Sequence, residues 1–234
     1  MLSCLSAAEY KRLDPHLERV LLKFGQTIYH SKAEIDYVYF PENGVLSIVG
    51  LTGSDKPIEV GLVGSEGFAG LPLFLGVPRS ANEVIVQGEG TAQRITAKAA
   101  LAEFARGGSF QNAVLLFAHE LFLQVSRVTS CNRHHETEQR LSRWLLMMRD
   151  RVEDDTLPLK QEFLSWMLGL RNQAIGRAAL VLQRTGSIKY SRGSVKIINR
   201  ITLEQRACPC YRLMKSRNDG WPEQVKSRRV SRLS

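Results

Sequence analysis

One glycine restricts the fold of this chain more than any other residue. Between Gln161 and Gln183, apolar residues recur at helical spacing on both sides of Gly169, but the two halves point in different directions. Glycine tolerates the positive φ of a tight corner and costs about 1 kcal/mol relative to alanine inside a helix. Ser165, four residues earlier, is a small residue where two helices would lie closest. The segment therefore predicts a helix-turn-helix, with a plain αα-hairpin as the alternative.

An alternating segment follows these two helices. Apolar and polar residues alternate from Thr185 to Arg200 on both sides of a polar turn, Ser191 to Ser194, which predicts a β-hairpin placed as a wing. The whole unit is rich in basic residues, which are Arg171, Arg177, Arg184, Lys189, Arg192, Lys196 and Arg200. Because one sign of charge repeats over helix and hairpin, the pattern favours a surface that faces phosphates over an ordinary solvated face.

The positive charge is concentrated in the C-terminal third. From Arg151 onward there are 17 basic and 7 acidic residues, a net charge of +10, whereas residues 1–150 carry 15 and 16, a net charge of −1. Such a surface binds nucleic acid by releasing counterions, whereas a membrane-binding basic helix would need a large apolar face that is absent here. The sequence contains neither an apolar run of about 18 residues nor a signal peptide, so we expect a cytoplasmic protein without a membrane partner.

The part of the chain before this basic third divides into two regions of different composition. Between Phe24 and Thr96, short strand-like segments are interspersed with eleven of the eighteen glycines, which predicts an antiparallel sandwich, jelly roll or small barrel. From Ser109, a long stretch without Gly or Pro predicts a helix. A heptad-like apolar stripe runs along it, formed by Val114, Phe117, Leu121, Gln124, Val128 and Cys131.

The helix is also apolar beyond that stripe, at Leu115, Leu116, Phe122 and Val125. A helix that is apolar on two sides must bury both. We expect one side to pack on its own sheet and the stripe to contact a second subunit, with a helix buried wholly in its own domain as the alternative.

Five stretches of sequence carry a family resemblance: "YVYFPENG", "EVGLVGSEGFAGLPLFLG", "CNRHHETEQRLSRWLL", "LPLKQEFLSWMLGLRNQAIGRAALVLQRTGSIKYSRG" and "ACPCY". From about Leu13 to Tyr211 the chain resembles the Crp/Fnr family of bacterial transcription regulators. The resemblance implies an α+β protein with an N-terminal antiparallel, jelly-roll-like β-roll, a long dimerisation helix and a C-terminal winged helix-turn-helix. The implied boundaries are 1–108 for a cyclic-nucleotide-binding-like sensory domain, 109–136 for the dimerisation helix, 137–212 for the DNA-binding domain and 213–234 for a basic, disordered tail.

The resemblance also implies which residues contact DNA. The first residues of the recognition helix, Arg171, Asn172, Gln173 and Arg177, are expected in the major groove. Arg177 matches a base-proximal arginine, while Asn172 and Gln173 stand where cyclic-AMP-responsive members have arginine and glutamate. Asn and Gln suit adenine and Arg suits guanine, so the operator is expected to differ from theirs. The predicted DNA-binding set is completed by Lys160, Gln161, Lys189, Ser191 and Arg192.

The expected partners are double-stranded DNA, a second copy of the chain and RNA polymerase. Two recognition helices would enter successive major grooves about 34 Å apart, so the operator should be an imperfect palindrome.

The sensory domain departs from the pattern of cyclic-nucleotide binders. Gly70, Arg79 and Ser80 align with the family's phosphate-binding residues, but Leu71 replaces a glutamate that accepts a hydrogen bond from the ribose, and losing that bond costs on the order of 1–3 kcal/mol. Cyclic AMP is therefore not the expected effector, and no cofactor is identified. Glu66 joins Gly70, Arg79 and Ser80 as the candidate effector pocket, with Arg79 as a plain surface residue in the alternative interpretation.

Metal and enzyme chemistry find little support in the sequence. Cys4 is alone, Cys208 and Cys210 supply two thiolates without nearby partners, and His134 and His135 are adjacent and so lie on different helix faces. No metal site and no structural disulfide is predicted.

A cupin-type enzyme would need several histidines inside the β-rich region, which contains only His30. The prediction is therefore a regulator rather than an enzyme. A DNA-binding protein that needs no ligand remains an open alternative.

Overall fold

The computed structural model describes residues 1–50, 57–152, 154–191 and 193–219. The chain divides into two compact units. The first is built around Met1–Ser47 and Leu62–Leu123, and the second around Ile48–Gly61 and Gln124–Lys215. Within the described residues, no helix is long and apolar enough to cross a lipid bilayer. The tail predicted to be disordered was 213–234; its first residues, 213–219, instead belong to the helix Cys210–Asp219, and residues 220–234 lie outside the described part.

The N-terminal half is rich in antiparallel strands, as the glycine-punctuated segments predict. Its elements are α1 (Ala7–Leu13), β1 (Glu18–Leu22), β2 (Thr27–Tyr29), β3 (Tyr37–Pro41), β4 (Val45–Gly50), β5 (Ile58–Val63), α2 (Leu71–Phe74), β6 (Glu83–Gly88), β7 (Gly90–Thr96), α3 (Ala97–Ala105) and α4 (Ser109–His134). One sheet has the order β1-β7-β3 with both pairings antiparallel, and a second has the order β2-β6-β4-β5.

An aromatic cluster forms the centre of the first unit. The Phe68 ring lies 5.7 Å from that of Phe40 and 4.8 Å from that of Phe117, which belongs to α4. A Cβ atom on Gly67 would lie within 2.1 Å of the Phe117 ring, so only glycine permits this close approach. The start of α4 is therefore packed tightly inside the first unit.

This packing corrects part of the predicted dimer interface. Val114 is 1% exposed and Phe117 is 3% exposed, so the chain itself covers both side chains. Cys131 is fully buried in the second unit. The helical periodicity identified an apolar face correctly, but these three residues are covered by their own chain and are not free to meet a second subunit.

The part of the second unit that follows α4 contains mostly helices and one small sheet. Its elements are α5 (Thr137–Val152), β8 (Thr156–Leu157), α6 (Gln161–Leu168), α7 (Asn172–Arg184), β9 (Ile188–Ser191), β10 (Ser194–Ile197), α8 (Arg200–Arg206) and α9 (Cys210–Asp219). The sheet has the order β8-β10-β9. The indole Nε1 of Trp144, in the buried centre of α5, donates a 2.9 Å hydrogen bond to the Glu59 carboxylate of β5.

A buried carboxylate caps the start of α4. Glu9 accepts hydrogen bonds from the hydroxyls of Ser6 and Ser109 and a 3.0 Å bond from the Phe110 amide. Burial opposes ionisation, but these hydrogen bonds prevail and hold the pKa of Glu9 below its ordinary value. A negative charge at a helix N-terminus is also favourable to the helix dipole.

We expect Glu9→Gln to lower the free energy of unfolding by about 1–3 kcal/mol at neutral pH, because buried donors lose their charged acceptor. The folded-state pKa lies below the ordinary value of 4.5. The contribution is thus present above pH 4.5 and is lost as the pH falls through the folded-state pKa. Urea unfolding followed by circular dichroism at a series of pH values measures this. Glu18→Gln, at an exposed ion pair, is the control, and a constant difference between wild type and Glu9→Gln down to about pH 3 would contradict the account.

Candidate nucleic-acid interface

Gly169 forms the corner between α6 and α7. It has φ +61° and ψ +40°, the left-handed conformation expected of a glycine at this position, and its amide donates to the carbonyls of Ser165 and Trp166. The Leu170 amide donates to the Ser165 carbonyl at 2.9 Å. The predicted break of the amphipathic run into two helices is confirmed.

A second close approach between these helices involves Gly176, which the sequence analysis did not single out. The side-chain amide of Gln161 donates a 2.6 Å hydrogen bond to the carbonyl of Asn172. An added Cβ on Gly176 would lie 2.9 Å from that amide nitrogen. A glycine inside an amphipathic helix is unfavourable by itself, and that cost was the available signal for a close contact.

The face of α7 opposite its packed side is polar and exposed. Its buried residues are Ile175, Ala178, Ala179 and Leu182. The predicted base-contacting residues Arg171, Asn172, Gln173 and Arg177 lie outside this buried set, and all four are exposed. Within the described part of the chain, none of these four side chains forms a hydrogen bond or an ion pair, so their donors and acceptors can be used by a ligand.

Strands β9 and β10 form the predicted hairpin. Ser191 pairs with Ser194, and Lys189 lies directly opposite Lys196 in the antiparallel register. Both lysines are exposed. Like charges at facing positions destabilise a hairpin, so the arrangement is one that a polyanion would stabilise. Arg192, predicted to contact DNA, lies outside the described residues.

An open groove of about 460 Å³ lies beside the hairpin. Lys160, Gln161, Tyr190, Ser191 and Gly193 line it. The structure therefore brings together three of the predicted DNA-contacting residues, two from the start of α6 and one from the wing. Burial raises the pKa of Tyr190, so its phenol is a neutral hydrogen-bond donor at physiological pH.

The candidate effector residues take different roles in the first unit. Gly70 has φ +112° and precedes α2, where an added Cβ would lie 3.2 Å from the Tyr29 hydroxyl. Arg79 is exposed and forms a 3.1 Å ion pair with the exposed Glu34. The hydroxyl of buried Ser80 donates to the Asn82 carbonyl at 2.7 Å. This surface ion pair agrees with the alternative interpretation of Arg79.

The structure corrects the expectation that Cys208 and Cys210 lack partners. The ligand atoms of Cys131, His135, Cys208 and Cys210 all lie within 4.8 Å of one another. The His135 amide donates a hydrogen bond to the Cys131 carbonyl, which extends the last turn of the helix by one residue. This turn places the His135 side chain on the same side as Cys131. The sequence analysis missed this cluster because Cys131 and Cys208 are 77 positions apart.

Comparisons with known proteins agree with this architecture. Residues 139–206 match the family model of the Crp-like helix-turn-helix domain. The c-di-GMP responsive global regulator of Xanthomonas campestris is 17% identical, with 83% of this chain and 100% of that chain covered at a TM-score of 0.66. FixK2 from Bradyrhizobium japonicum is 12% identical, with coverages of 82% and 98% and a TM-score of 0.67.

A CRP-family transcriptional regulator from Thermus thermophilus is 18% identical, with 80% of this chain and 96% of that chain covered at a TM-score of 0.67. No curated protein matches this chain. Residues 139–206 therefore form a Crp-like helix-turn-helix domain, which decides between the two helical alternatives, and the chain has the fold of Crp/Fnr-type regulators. The match of residues 139–206 to the Crp-like helix-turn-helix model agrees with the prediction of a DNA-binding domain.

We expect Gly169→Ala to destabilise the protein by about 1–2 kcal/mol, because a Cβ atom is unfavourable at this left-handed position. The added carbon would be 3.5 Å from the Ile58 side chain, an ordinary contact, so the cost arises in the backbone. Gly169→Asn should lose less, since asparagine tolerates this conformation. Urea unfolding measures both variants, and equal stabilities of Gly169→Ala and wild type would contradict the role of the corner.

Proposed function

We propose that this chain, with the fold of Crp/Fnr-type regulators and a Crp-like helix-turn-helix domain, is a dimeric, sequence-specific DNA-binding transcription regulator. The observation that carries the proposal is the polar start of α7. Four polar or basic side chains there have no partner within the described residues, and the same unit carries a wing with two facing lysines. Phosphates would satisfy the cations and base edges would satisfy the amides.

Sequence discrimination rests on the first turns of α7. Asn172 and Gln173 each offer the donor and acceptor pair that matches adenine, and Arg177 offers the paired donors that match guanine. Lys189 and the residues that line the groove, such as Lys160, would contact the phosphate backbone of the DNA. These contacts would fix the position of α7 along the base pairs. RNA polymerase is the partner through which a bound dimer would act on transcription.

Selection of bound sites from a random DNA pool by the ligand-free protein tests base recognition. We expect an imperfect palindrome, and we expect Arg177→Ala to lose about 1–3 kcal/mol of binding and to relax the preference at one position. Asn172→Ala should relax a different position. Lys189→Ala should instead weaken binding to all sequences and reduce the salt dependence by about one ion.

Lys98→Ala is the matched control for Lys189→Ala, because Lys98 belongs to α3 of the first unit and not to the helix-turn-helix domain. It should change neither affinity nor sequence preference. If no motif is enriched and the affinity for DNA depends on the salt concentration but not on the sequence, recognition of a sequence by the ligand-free protein is excluded. An enriched motif without added effector would favour the ligand-independent alternative for DNA recognition.

A dimer interface is proposed along the exposed side of α4. Phe122 is 69% exposed and Leu115 is 50% exposed, and their seven-residue spacing places them on one side of the helix. The half-buried Leu121, Gln124 and Val128, from the predicted stripe, lie on the adjoining side of the helix. A second copy of the same helix would cover these apolar groups through a coiled-coil-like contact.

We expect Phe122→Glu to convert the dimer to a monomer, because it places a charge at the centre of an apolar contact. Light scattering coupled to size-exclusion chromatography measures the molar mass. Leu75→Glu is the control, since Leu75 is similarly exposed but lies after α2. A dimer that persists in Phe122→Glu, or a monomeric wild type, would overturn this interface.

The first unit is proposed to hold the effector site, with a ligand other than cyclic AMP. Leu71 starts α2 where cyclic-nucleotide binders place a carboxylate, and Arg79 is already paired with Glu34. One of the matched regulators is described as responsive to c-di-GMP, so this dinucleotide belongs in the same titration. Calorimetric titration with each nucleotide tests the proposal, and saturable binding of cyclic AMP would contradict it.

A further inference from the structure

Four metal-ligating side chains converge in the second unit, outside the set of predicted DNA-contacting residues. Cys131 and His135 come from the end of α4, Cys208 follows α8, and Cys210 begins α9. The sulfur atoms of Cys131 and Cys208 are 3.5 Å apart, and the Cys210 sulfur is 3.8 Å from Nδ1 of His135. All four ligand atoms lie within 4.8 Å of one another.

The two individual distances suit the edges of a tetrahedral metal site. Zinc binds sulfur at about 2.3 Å and imidazole nitrogen at about 2.05 Å, so the edges of the tetrahedron are about 3.8 Å between sulfurs and about 3.6 Å between sulfur and nitrogen. The two measured edges differ from these values by a few tenths of an ångström. A disulfide requires about 2.05 Å between sulfurs, so the cysteines as placed are free thiols.

The surroundings of the cluster carry an unbalanced positive charge. Arg140 and Arg143 are 7% and 2% exposed, and the Nε atom of each is buried without a hydrogen-bond partner. Within the described ranges, neither guanidinium forms an ion pair with a carboxylate. Arg143 interacts electrostatically with Cys131, and Arg140 interacts with both Cys131 and Cys208. A buried cation requires an anion nearby, and the thiol cluster is the group in that position.

We propose that Cys131, His135, Cys208 and Cys210 bind one Zn²⁺ ion. Three thiolates and a neutral imidazole around Zn²⁺ carry a net charge of −1, which would offset one of the two positive charges of the buried arginines. Binding forms three Zn–S bonds and one Zn–N bond, and the three thiols release their protons to solvent. His135 and Cys210 are half-buried, which gives the ion a path into the site.

The site has all four positions filled by protein, which is typical of a structural zinc rather than a catalytic one. Its ligands belong to two separate segments of the second unit, one at the end of α4 and one at the junction of α8 and α9. Zn²⁺ would therefore connect the end of α4 to a junction that is more than 70 residues away along the chain. This role is independent of whether the protein recognises a DNA sequence.

Metal content and affinity of the full-length protein test the proposal. Protein purified with reductant should contain close to one zinc per chain by mass spectrometry, and the chelated protein should regain one equivalent on titration with Zn²⁺ alone. Co²⁺ in place of Zn²⁺ should produce the visible absorption of a tetrahedral cobalt–thiolate site. Zinc should also raise the unfolding temperature of the chelated protein.

Matched variants separate ligation from general effects. His135→Gln and Cys210→Ser should each weaken zinc binding by more than about 100-fold, since even the loss of an outer-shell partner costs about 10- to 100-fold. His134→Gln, at the exposed neighbouring residue, and Cys4→Ser, in the first unit, should keep one zinc per chain.

Three outcomes would overturn the proposal. They are a folded, reduced wild type that binds less than about one tenth of an equivalent of zinc, equal affinities in His134→Gln and His135→Gln, and a Cys131–Cys208 disulfide in the purified protein that resists added reductant and so removes two of the thiolates.

Discussion

The second unit depends on the burial of α5. Every residue from Arg140 to Met148 in this helix is buried, so the helix must be covered on all sides. Helices α7 and α8 both pack on it, and the Trp144 indole finds its hydrogen-bond acceptor in Glu59 of β5. A helix covered in this way provides a fixed base, from which the exposed end of α7 can project without its own packing being disturbed.

The same burial creates an electrostatic constraint. Two arginines in the buried stretch of α5 cannot reach water, and burial lowers the pKa of Arg140 because the charged form is poorly solvated. The chain places its three closely spaced cysteines beside these cations rather than a carboxylate. Charge balance in the interior thus links the packing of α5 to the chemistry of the thiols, two features that look unrelated along the sequence.

Local patterns predicted local structure well. Gly169 identified the corner, because a glycine is informative wherever the backbone must take a positive φ, and the alternation around Ser191 identified the wing. The polar start of α7 could be predicted to be exposed because the opposite face, with Ile175 and Leu182, has helical apolar spacing. The roles of these residues in base recognition come from a resemblance and stay predictions.

Local sequence patterns could not predict contacts between segments that are far apart along the chain. The stripe through Val114 and Phe117 was apolar as expected, but periodicity does not say whether a face meets its own sheet or another chain. The cysteine cluster was missed for the same reason, since only the fold brings Cys131 to Cys208. Gly176 could have been noticed, because its cost inside a helix needs a compensating contact, here with Gln161.

The start of α9 has consequences for where the DNA-binding part of the chain can be cut. The Tyr211 phenol donates a 2.7 Å hydrogen bond to Asp150 of α5 and accepts a 2.8 Å bond from Arg200 of α8, while Arg200 also forms an ion pair with Asp150. Burial and the hydrogen bond to Asp150 raise the pKa of Tyr211. The phenol therefore keeps the proton that it donates to Asp150 throughout the physiological pH range. A minimal expressed fragment therefore needs its C-terminal boundary no earlier than Tyr211. A shorter fragment would leave the charges of α5 and α8 without the hydroxyl that joins them.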